Sequence, residues 1–510
     1  MEPEGDVATP ALLDPESLGF MCGIEVHQQL ATGKLHSRQP GQLHDITIET
    51  LPSDWPQFHR RLHSARGEGG AIDVAARFES RRNRSFVYCQ APNSGLIELD
   101  EQPPLPHDDD ALDISLTVSG MIGAHPVPLL QTMRKTVVDG SNTSGFQRTT
   151  LVATAGVLET EGGPVGIDVL CLEEDSARKL DSKLTADGEV VTWNLDRLGI
   201  PLIEIATAPD VKTPDHAKQT SIALGRTLRD TRRVRRGLGS IRQDLNVSLM
   251  CGDRVEIKGC QDLDWIPKII RCEMSRQLHF YRLANQLRSS NQLPLLSPDR
   301  RIESPNVGDE VSKILKLELV DVSSSFESCE SKMVKSGLDS NSIMLALPLP
   351  GFNGLIGVKE FDADGAQMPR LGRELAGAAK LAGVAGVFHS DELPAYGIEQ
   401  EFVDATRKQL NGADAFVLCL APSWQADLAL ESVLLRARAA WHRIPQEVRN
   451  VVVKKGSPED GTTAPMRPLP SGARMYPETD IPTTLVSSSM WQSVLENMPM
   501  TDIERQDRLS

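Results

Sequence analysis

Acidic side chains interrupt two otherwise apolar stretches of this chain, and they are the residues best suited to do chemistry. Glu204 is the one carboxylate in the run Leu202–Ala206. The acids Glu173, Glu174 and Asp175 end a second apolar run. A buried carboxylate without a partner costs several kcal/mol, so Glu204 is expected to meet a cation or to share a proton. Such concentrated charge suits a divalent metal ion, and strand-end salt bridges are the competing interpretation.

Glu25 and His27 form a second pair with chemical potential. They stand two residues apart in GIEVHQQL, and a strand places such side chains on one face. A carboxylate beside an imidazole suits a metal or phosphate site. From these residues alone, a histidine satisfied within the core is the alternative.

A loop of small polar residues, DGSNTSG, is flanked by three cations and a glutamine. Arg134 and Lys135 precede it, and Gln147 and Arg148 follow it. Small residues let backbone N–H groups approach an anion, so the loop could cradle a phosphate. It lacks the G-x-x-x-x-G-K-[ST] pattern of a Walker A loop, and a hairpin turn that binds nothing is the alternative.

Strands and helices must position these groups. The stretch IRQDLNVSLM alternates strictly, which predicts a strand with Arg242, Asp244 and Asn246 on one polar face. RVEIKG repeats the alternation with Glu256 and Lys258. So much polarity on one face predicts a sheet that lines a site.

A helix is predicted from a Thr-Pro start at residue 213 to Gly237. Its arginines recur at spacings of three and four and form a basic stripe of Arg226, Arg229, Arg233 and Arg236. The stripe fits a nucleic-acid backbone or a triphosphate, and a solvated helix face is the alternative.

Composition sets the outer limits. With 510 residues the chain predicts two or three domains, and its net charge of −16 argues against non-specific polyanion binding over the whole surface. Eight cysteines without a C-x-x-C spacing indicate reduced thiols and no cysteine zinc site. No apolar run has the length of a membrane span, and the N-terminus lacks the features of a secretory signal, so we expect a cytoplasmic protein with no membrane partner.

Six motifs together resemble one known family. GIEVHQQL, RKTVVDGSNTSGFQRT, LEEDSARK, LDRLGIPLIEIATAPD, GSIRQDLNVS and RVEIKG occur in the order seen in the B-type and E-type subunits of glutamyl-tRNA(Gln) amidotransferases. The resemblance spans roughly residues 20–480. The DGSNTSGFQR form and a long insertion resemble the archaeal E-type proteins.

The resemblance implies an α+β fold. Its main part is a glutamine-synthetase-like cradle domain around an antiparallel sheet, with an inserted α+β domain similar to the insertion of bacterial aspartyl-tRNA synthetases. The expected divisions are a flexible leader over 1–19, the cradle over 20–300, the inserted domain over 301–425, a return to the cradle over 426–490, and the start of a truncated helical region over 491–510.

The resemblance also implies an activity with ATP and Mg²⁺ as cofactors. In this family ATP phosphorylates the γ-carboxylate of glutamate carried by tRNA(Gln), and ammonia then displaces the phosphate. This chain shows no amidase signature, so the ammonia is expected from an asparaginase-like partner, the D-type protein of the archaeal enzyme, in a heterotetramer.

Matching motif to motif assigns expected roles. The implied magnesium ligands are Glu25, His27, Glu174 and Glu204, with Glu173 as the nearest rival of Glu174. The implied catalytic residues are Arg134, Lys135, Asp244 and Lys258. The implied nucleotide-binding residues are Ser144, Gly145, Gln147, Arg148, Asn246 and Glu256.

Two alternatives from other classes stay open. A non-catalytic tRNA-binding or assembly protein could keep the fold, and loss of the four metal ligands would mark it. A free-standing ligase acting on a small carboxylic acid would need no tRNA-reading insertion, which this chain has.

Overall fold

The computed structural model describes most of the chain, namely residues 2–61, 84–137, 139–185, 188–452, 461–469 and 475–509. The chain forms two compact units. The first unit comprises Cys22–Asn246, Gly259–Ile266 and Arg467–Ser510. The second unit comprises Met1–Met21, Val247–Lys258 and Pro267–Met466.

Strands dominate the first unit. Those lying wholly or mainly in it are β1 Met21–Gln29, β2 Gln57–Arg60, β3 Arg84–Cys89, β4 His125–Pro126, β5 Leu129–Leu130, β6 Thr132–Thr136, β7 Phe146–Leu158, β8 Val165–Glu174, β9 Arg178–Thr185, β10 Gly188–Asn194, β11 Pro201–Thr207, β12 Ile241–Ser248, β20 Met475–Pro477 and β21 Thr484–Leu485. Its helices are α1 Asp109–Met121, α2 Pro214–Asp230, α9 Ser488–Glu496 and α10 Asp502–Leu509.

The large sheet of this unit runs in the order β12-β1-β11-β8-β7-β6-β20, with β4 also paired to β7. The pairs β1–β11, β11–β8, β8–β7, β7–β6 and β6–β20 are all antiparallel. Its strands are rich in Val, Ile, Leu and Thr, which pack well on a pleated surface. Because side chains alternate along each strand, the register decides which polar groups share a face.

The first unit also contains a smaller sheet, β2-β3-β10-β9, and the two-stranded sheet β21-β5. The four-stranded sheet contains a parallel pair, β3–β10, and its core cluster includes Phe86, Tyr88 and Trp193. Helix α2 begins where the sequence predicts, since Thr213 caps it by accepting a hydrogen bond from the His216 amide. The helix ends at Asp230 and not at Gly237.

The second unit is a mixed α and β structure. Its strands are β13 Val255–Lys258, β14 Val320–Asp321, β15 Ile343–Pro348, β16 Phe388–His389, β17 Phe416–Ala421, β18 Glu447–Val451 and β19 Thr463–Pro468. Its helices are α3 Ile266–Ser290, α4 Gly308–Ile314, α5 Lys332–Asp339, α6 Leu371–Leu381, α7 Gln400–Gln409 and α8 Ser423–Ala439. The order β14-β15-β17-β16 forms an antiparallel sheet.

These elements agree with the predicted α+β class at the level of a mixed fold with a large, mostly antiparallel sheet. The compact units are divided differently from the expected domains. Helix α8 packs against α6, and β18 pairs with β13, so residues 426–466 belong with the second unit. Residues 2–19, expected as a flexible leader, contain the 3₁₀ helix Pro10–Leu12, and Leu18 is 1% exposed.

Within the described part of the chain, no helix combines the length and the apolar character that crossing a membrane requires.

Candidate active site

One face of the large sheet gathers the acidic and basic side chains that the sequence singles out. His27 on β1 lies directly opposite Glu204 on β11, and Glu204 lies opposite Cys171 on β8. Glu25 and Glu173 stand two residues from His27 and Cys171, so alternation keeps them on the same face. We call this the site face and the other side of the sheet the rear face.

Three of these side chains converge closely. One ligand atom from each of Glu25, His27 and Glu204 lies within 4.8 Å of the other two. His27 Nε2 is 2.8 Å from Glu25 Oε1, and His27 Nδ1 is 3.9 Å from Glu204 Oε2. Glu173 Oε2 also lies 3.9 Å from His27 Nδ1. The strands thus bring four predicted or rival metal ligands to one point.

Lys135 on β6 supplies positive charge to this cluster. Its ammonium group donates to Glu173 Oε1 and, over 3.1 Å, to Glu204 Oε2. Gln147 Nε2 donates to Glu173 Oε2 over 3.1 Å, and Thr149 Oγ1 donates to Glu173 Oε1 over 2.8 Å. Glu173 is therefore held in one orientation by three neighbours.

Burial and crowding perturb the proton affinities of the cluster. Burial and then the charge of Glu173 raise the pKa of Glu204 to about 7. Burial alone would lower the pKa of His27, but its hydrogen bond to Glu25 and the nearby carboxylates raise it to about 9. Burial would raise the pKa of Glu173, but Lys135 holds it below its usual value. Paired acids whose environments separate their pKa values are typical of functional sites.

Glu174, predicted as the fourth metal ligand, does not lie with the other three. It points to the rear face, where Arg148 Nη1 is 3.1 Å from its Oε1. The cause is the period of the strand, because adjacent residues of β8 project to opposite sides. Glu173, the rival in the sequence, occupies the site face in its place.

The same alternation places the other adjacent pairs of predicted site residues on opposite faces of the sheet. Arg134, expected beside Lys135, lies on the rear face, where its Nη2 is 2.7 Å from Glu478 Oε1. Arg148, expected beside Gln147, also lies on the rear face, with its Nε 3.0 Å from Glu478 Oε2. Only Lys135 and Gln147 of these four reach the cluster.

Ser144 and Gly145 lie in the turn between β6 and β7. Val137 N donates to the Gly145 carbonyl, Gly145 N donates to the Asn142 carbonyl, and Gly145 has φ +76°. Ser144 Oγ donates to the Phe146 carbonyl over 2.9 Å. The loop forms the hairpin connection between β6 and β7, and its role as a phosphate cradle stays a prediction.

Asp244 on β12 approaches the cluster, since its Oδ2 lies 3.8 Å from His27 Nε2. Asn246 follows two residues later and projects from the same side of the strand. Glu256 and Lys258, also predicted to line the pocket, lie on β13 in the second unit. There the Lys258 ammonium is 2.5 Å from Glu256 Oε1.

The predicted basic stripe is only partly exposed and only partly helical. Arg226, Arg229 and Arg236 are exposed, whereas Arg233 forms ion pairs with Asp110 and Asp113. Because α2 ends before Arg233 and Arg236, these two arginines do not extend its face.

The chemistry of the cluster fits a magnesium ion. Hard divalent cations prefer carboxylate oxygens, and Glu25, Glu173 and Glu204 supply them around one imidazole. Burial first, and then the negative charge of Glu173, raises the pKa of Glu204, and a bound cation would favour its charged form. We therefore regard Glu25, His27, Glu204 and Glu173 as the residues that would hold Mg²⁺.

Sequence reasoning missed the buried acid Glu478 and gave no role to Asp175. Glu478 is 0% exposed and contacts arginines more than 300 positions away, so only the fold could reveal it. Asp175 is 1% exposed and accepts hydrogen bonds from Gln29 and Arg242. Its place in an acidic run beside polar strand positions was a usable signal.

Most of the chain is similar to known proteins. Residues 20–492 match the family model described as the GatB/GatE catalytic domain. The chain is 44% identical over 490 residues to the E-type subunit of the glutamyl-tRNA(Gln) amidotransferase of Thermococcus sibiricus, covering 95% of this chain and 71% of that protein.

Two further relatives with the same name give the same result. The Pyrococcus furiosus protein is 43% identical over 487 residues, which is 95% of this chain and 71% of the relative. The Methanocaldococcus jannaschii protein is 41% identical over 499 residues, with coverages of 97% and 72%. The family expected from the six motifs is confirmed, and the chain belongs to the GatB/GatE catalytic-domain family.

Proposed function

We propose that this chain is the kinase and transamidase component that converts Glu-tRNA(Gln) to Gln-tRNA(Gln) at the expense of ATP. The observation that carries the proposal is the convergence of Glu25, His27, Glu173 and Glu204 around Lys135 on the site face. The relatives are named as E-type subunits of glutamyl-tRNA(Gln) amidotransferase, which supports the substrate and the reaction class.

The chemistry needs two steps because a carboxylate is a poor electrophile. In the first step an oxygen of the substrate γ-carboxylate attacks the terminal phosphorus of ATP, and the bond to the leaving ADP oxygen breaks. In the second step ammonia attacks the acyl carbon, the bond to the phosphate oxygen breaks, and the nitrogen loses a proton. The products are the amide, ADP and inorganic phosphate.

Mg²⁺, when bound, would neutralise charge on the phosphate oxygens and lower the barrier to phosphoryl transfer. The protein's own contribution is preorganisation. Lys135 is held between Glu173 and Glu204, so a cation stands at a fixed point of the cluster without reorganising during reaction.

Proton handling has candidates in the same cluster. With a pKa of about 7, Glu204 exchanges protons near neutral pH in the metal-free protein. His27, with a pKa of about 9, is charged at neutral pH in that state, so binding Mg²⁺ through its ring requires loss of a proton. Metal affinity should therefore rise with pH.

The ammonia is proposed to come from an asparaginase-like partner, the D-type protein, in a heterotetramer. A direct test avoids that partner by using ammonium chloride. Purified protein with Glu-tRNA(Gln), ATP and Mg²⁺ should form Gln-tRNA(Gln), and Glu204→Gln should abolish the reaction while keeping the thermal stability of the wild type within a few degrees. Product formation by the variant at the wild-type rate would contradict the proposal.

A further inference from the structure

A second row of polar side chains lies beside the cluster on the site face. Gln29 stands two residues after His27, and Arg242 stands two residues before Asp244. Two residues along a strand span about 7 Å and return to the same face. Arg242 therefore projects next to Asp244, which itself approaches His27 within 3.8 Å.

Asp175 ties this row together. The carboxylate accepts a hydrogen bond from Gln29 Nε2 over 2.6 Å and another from Arg242 Nη2 over 2.7 Å. Asp175 is 1% exposed, whereas the side chain of Arg242 is 32% exposed. The Asp175 carboxylate is therefore buried, whereas the Arg242 guanidinium that it binds is partly exposed.

Two arginines share the neutralisation of Asp175, so Arg242 is not the sole counter-ion of this acid. Arg197 Nε lies 3.6 Å from Asp175 Oδ2. Arg197 also donates to the backbone carbonyls of Ser176 and Ala177, over 2.8 and 3.0 Å, and is thereby fixed as a structural residue.

Arg242 keeps most of its donors for another partner. A guanidinium carries five N–H groups. Across the described residues, Arg242 makes one hydrogen bond, to Asp175. Burial alone would lower the pKa of Arg242, but the negative charges of Asp175, Asp244 and Glu173 raise it, so the side chain is a permanent cation beside the cluster.

We propose that Arg242 binds the phosphoryl group that is transferred, with Asp175 and Gln29 as positioning residues. The planar fork of arginine matches two phosphate oxygens at once, a geometry that lysine cannot offer. Lys135 is engaged by Glu173 and Glu204, whereas Arg242 makes one hydrogen bond with the described residues and has further N–H groups with which to meet an incoming anion. This inference rests on the proposed function and names a residue that holds its substrate.

A purely structural role for Arg242 makes a different prediction. Loss of a structural ion pair lowers stability and affects all ligands alike. Loss of a contact to the terminal phosphate weakens ATP and leaves ADP nearly unchanged. The ratio of the two affinities therefore separates the roles, whatever the effect on activity.

The experiment compares wild type, Arg242→Gln, Arg242→Lys and the control Arg233→Gln, whose arginine pairs with the exposed acids Asp110 and Asp113. Dissociation constants for ATP and ADP in Mg²⁺ are measured by titration calorimetry, together with thermal unfolding. Arg242→Gln should weaken ATP relative to ADP by roughly tenfold or more, since hydrogen bonds to charged groups are the strong ones. The ratio of the ATP and ADP dissociation constants for Arg242→Lys should lie between those of the wild type and Arg242→Gln. The ratio for Arg233→Gln should match that of the wild type.

An unchanged ATP-to-ADP ratio in Arg242→Gln, or an equal loss for both nucleotides with a lower unfolding temperature, would overturn the inference. Conversion of Glu-tRNA(Gln) by the wild type is scored in parallel. If the wild type converts it and the ratio is unchanged, only the role of Arg242 fails. If the ratio changes as expected and no conversion occurs, only the proposed function fails. A wild type that binds no ATP overturns both.

Discussion

Glu173 and Glu174 are neighbours in the chain, yet they serve opposite faces of the same sheet. Glu173 accepts hydrogen bonds from Lys135 and Thr149 on the site face, and Glu174 pairs with Arg148 on the rear face. The strand period thus assigns one carboxylate to the cluster and the other to the support behind it.

Exchanging each acid for its amide should separate these roles. Glu173→Gln should raise the Mg²⁺ concentration needed for half-maximal activity at least tenfold, because it removes a charge that faces the cluster. Glu174→Gln should leave that concentration within about twofold and lower the free energy of unfolding, because it breaks a buried pair with Arg148. Magnesium titration of initial rates and urea unfolding give the two readouts. The reverse pattern would restore Glu174 as the metal ligand.

Replacing the central cation should damage catalysis more than folding. Lys135→Met should lower kcat by roughly a hundredfold or more, the size expected for a preorganised electrostatic contact. Its chain neighbour provides the control, since Arg134→Met changes a rear-face cation that pairs with Glu478. We expect Arg134→Met to keep kcat within a few-fold and to lower the free energy of unfolding. Equal losses of kcat in the two variants would argue against the special position of Lys135.

The rear face should carry a measurable share of the stability. Glu478 is 0% exposed and receives hydrogen bonds from Arg134 and Arg148, over 2.7 and 3.0 Å. Removing one partner of a buried charge network leaves the other charges uncompensated, so Glu478→Gln should cost about 3 kcal/mol. Urea unfolding at neutral pH measures the loss. A change below about 0.5 kcal/mol would show that the network contributes little.

Histidines that are buried in their neutral form should make the free energy of unfolding fall with pH. This fall should begin at pH values above those at which carboxylates titrate. Burial first, then the charge of Arg148, lowers the pKa of His36 from 6.5 to about 3. Between these values the unfolded chain binds a proton that the folded protein does not, so this contribution to stability is present above pH 6.5 and is lost as the pH falls toward 3. A residue of this kind changes the free energy of unfolding by up to about 1.4 kcal/mol per pH unit.

His36→Gln removes that proton-linked contribution. Unfolding free energies measured at pH 7.0, 6.0 and 5.0 should fall less steeply for the variant than for the wild type, whatever its absolute stability. Identical slopes for the two proteins would show that folding leaves the proton affinity of His36 unchanged. His389, whose pKa burial lowers in the second unit, is a comparison site.

The sequence predicted the members of the cluster better than their arrangement. Alternation in GIEVHQQL placed Glu25 and His27 on one face, and the lone acid in PLIEIA marked Glu204. The same rule states that Glu173 and Glu174 diverge but cannot say which faces the site, because the phase depends on pairing with β7 and β11. The phase of β6 likewise determines that Lys135, and not Arg134, projects to the site face.

Long-range contacts lay beyond sequence reasoning. Glu478 reaches Arg134 and Arg148 across 344 and 330 positions, and no local pattern connects those segments. The end of α2 was missed for a local reason. Thr231 and the positive φ of Arg232 stop the helix, although the arginine spacing continues to Arg236.

Activation of the γ-carboxylate as an acyl phosphate at the site face transfers one carboxylate oxygen to phosphate, and an oxygen label follows that transfer. Glu-tRNA(Gln) in which both oxygens of the γ-carboxylate are ¹⁸O is incubated with protein, ATP, Mg²⁺ and ammonium chloride, and the inorganic phosphate is analysed by mass spectrometry. We expect one ¹⁸O in each phosphate released with Gln-tRNA(Gln), and no labelled phosphate from Glu204→Gln. Amide formation accompanied by unlabelled phosphate would contradict this activation.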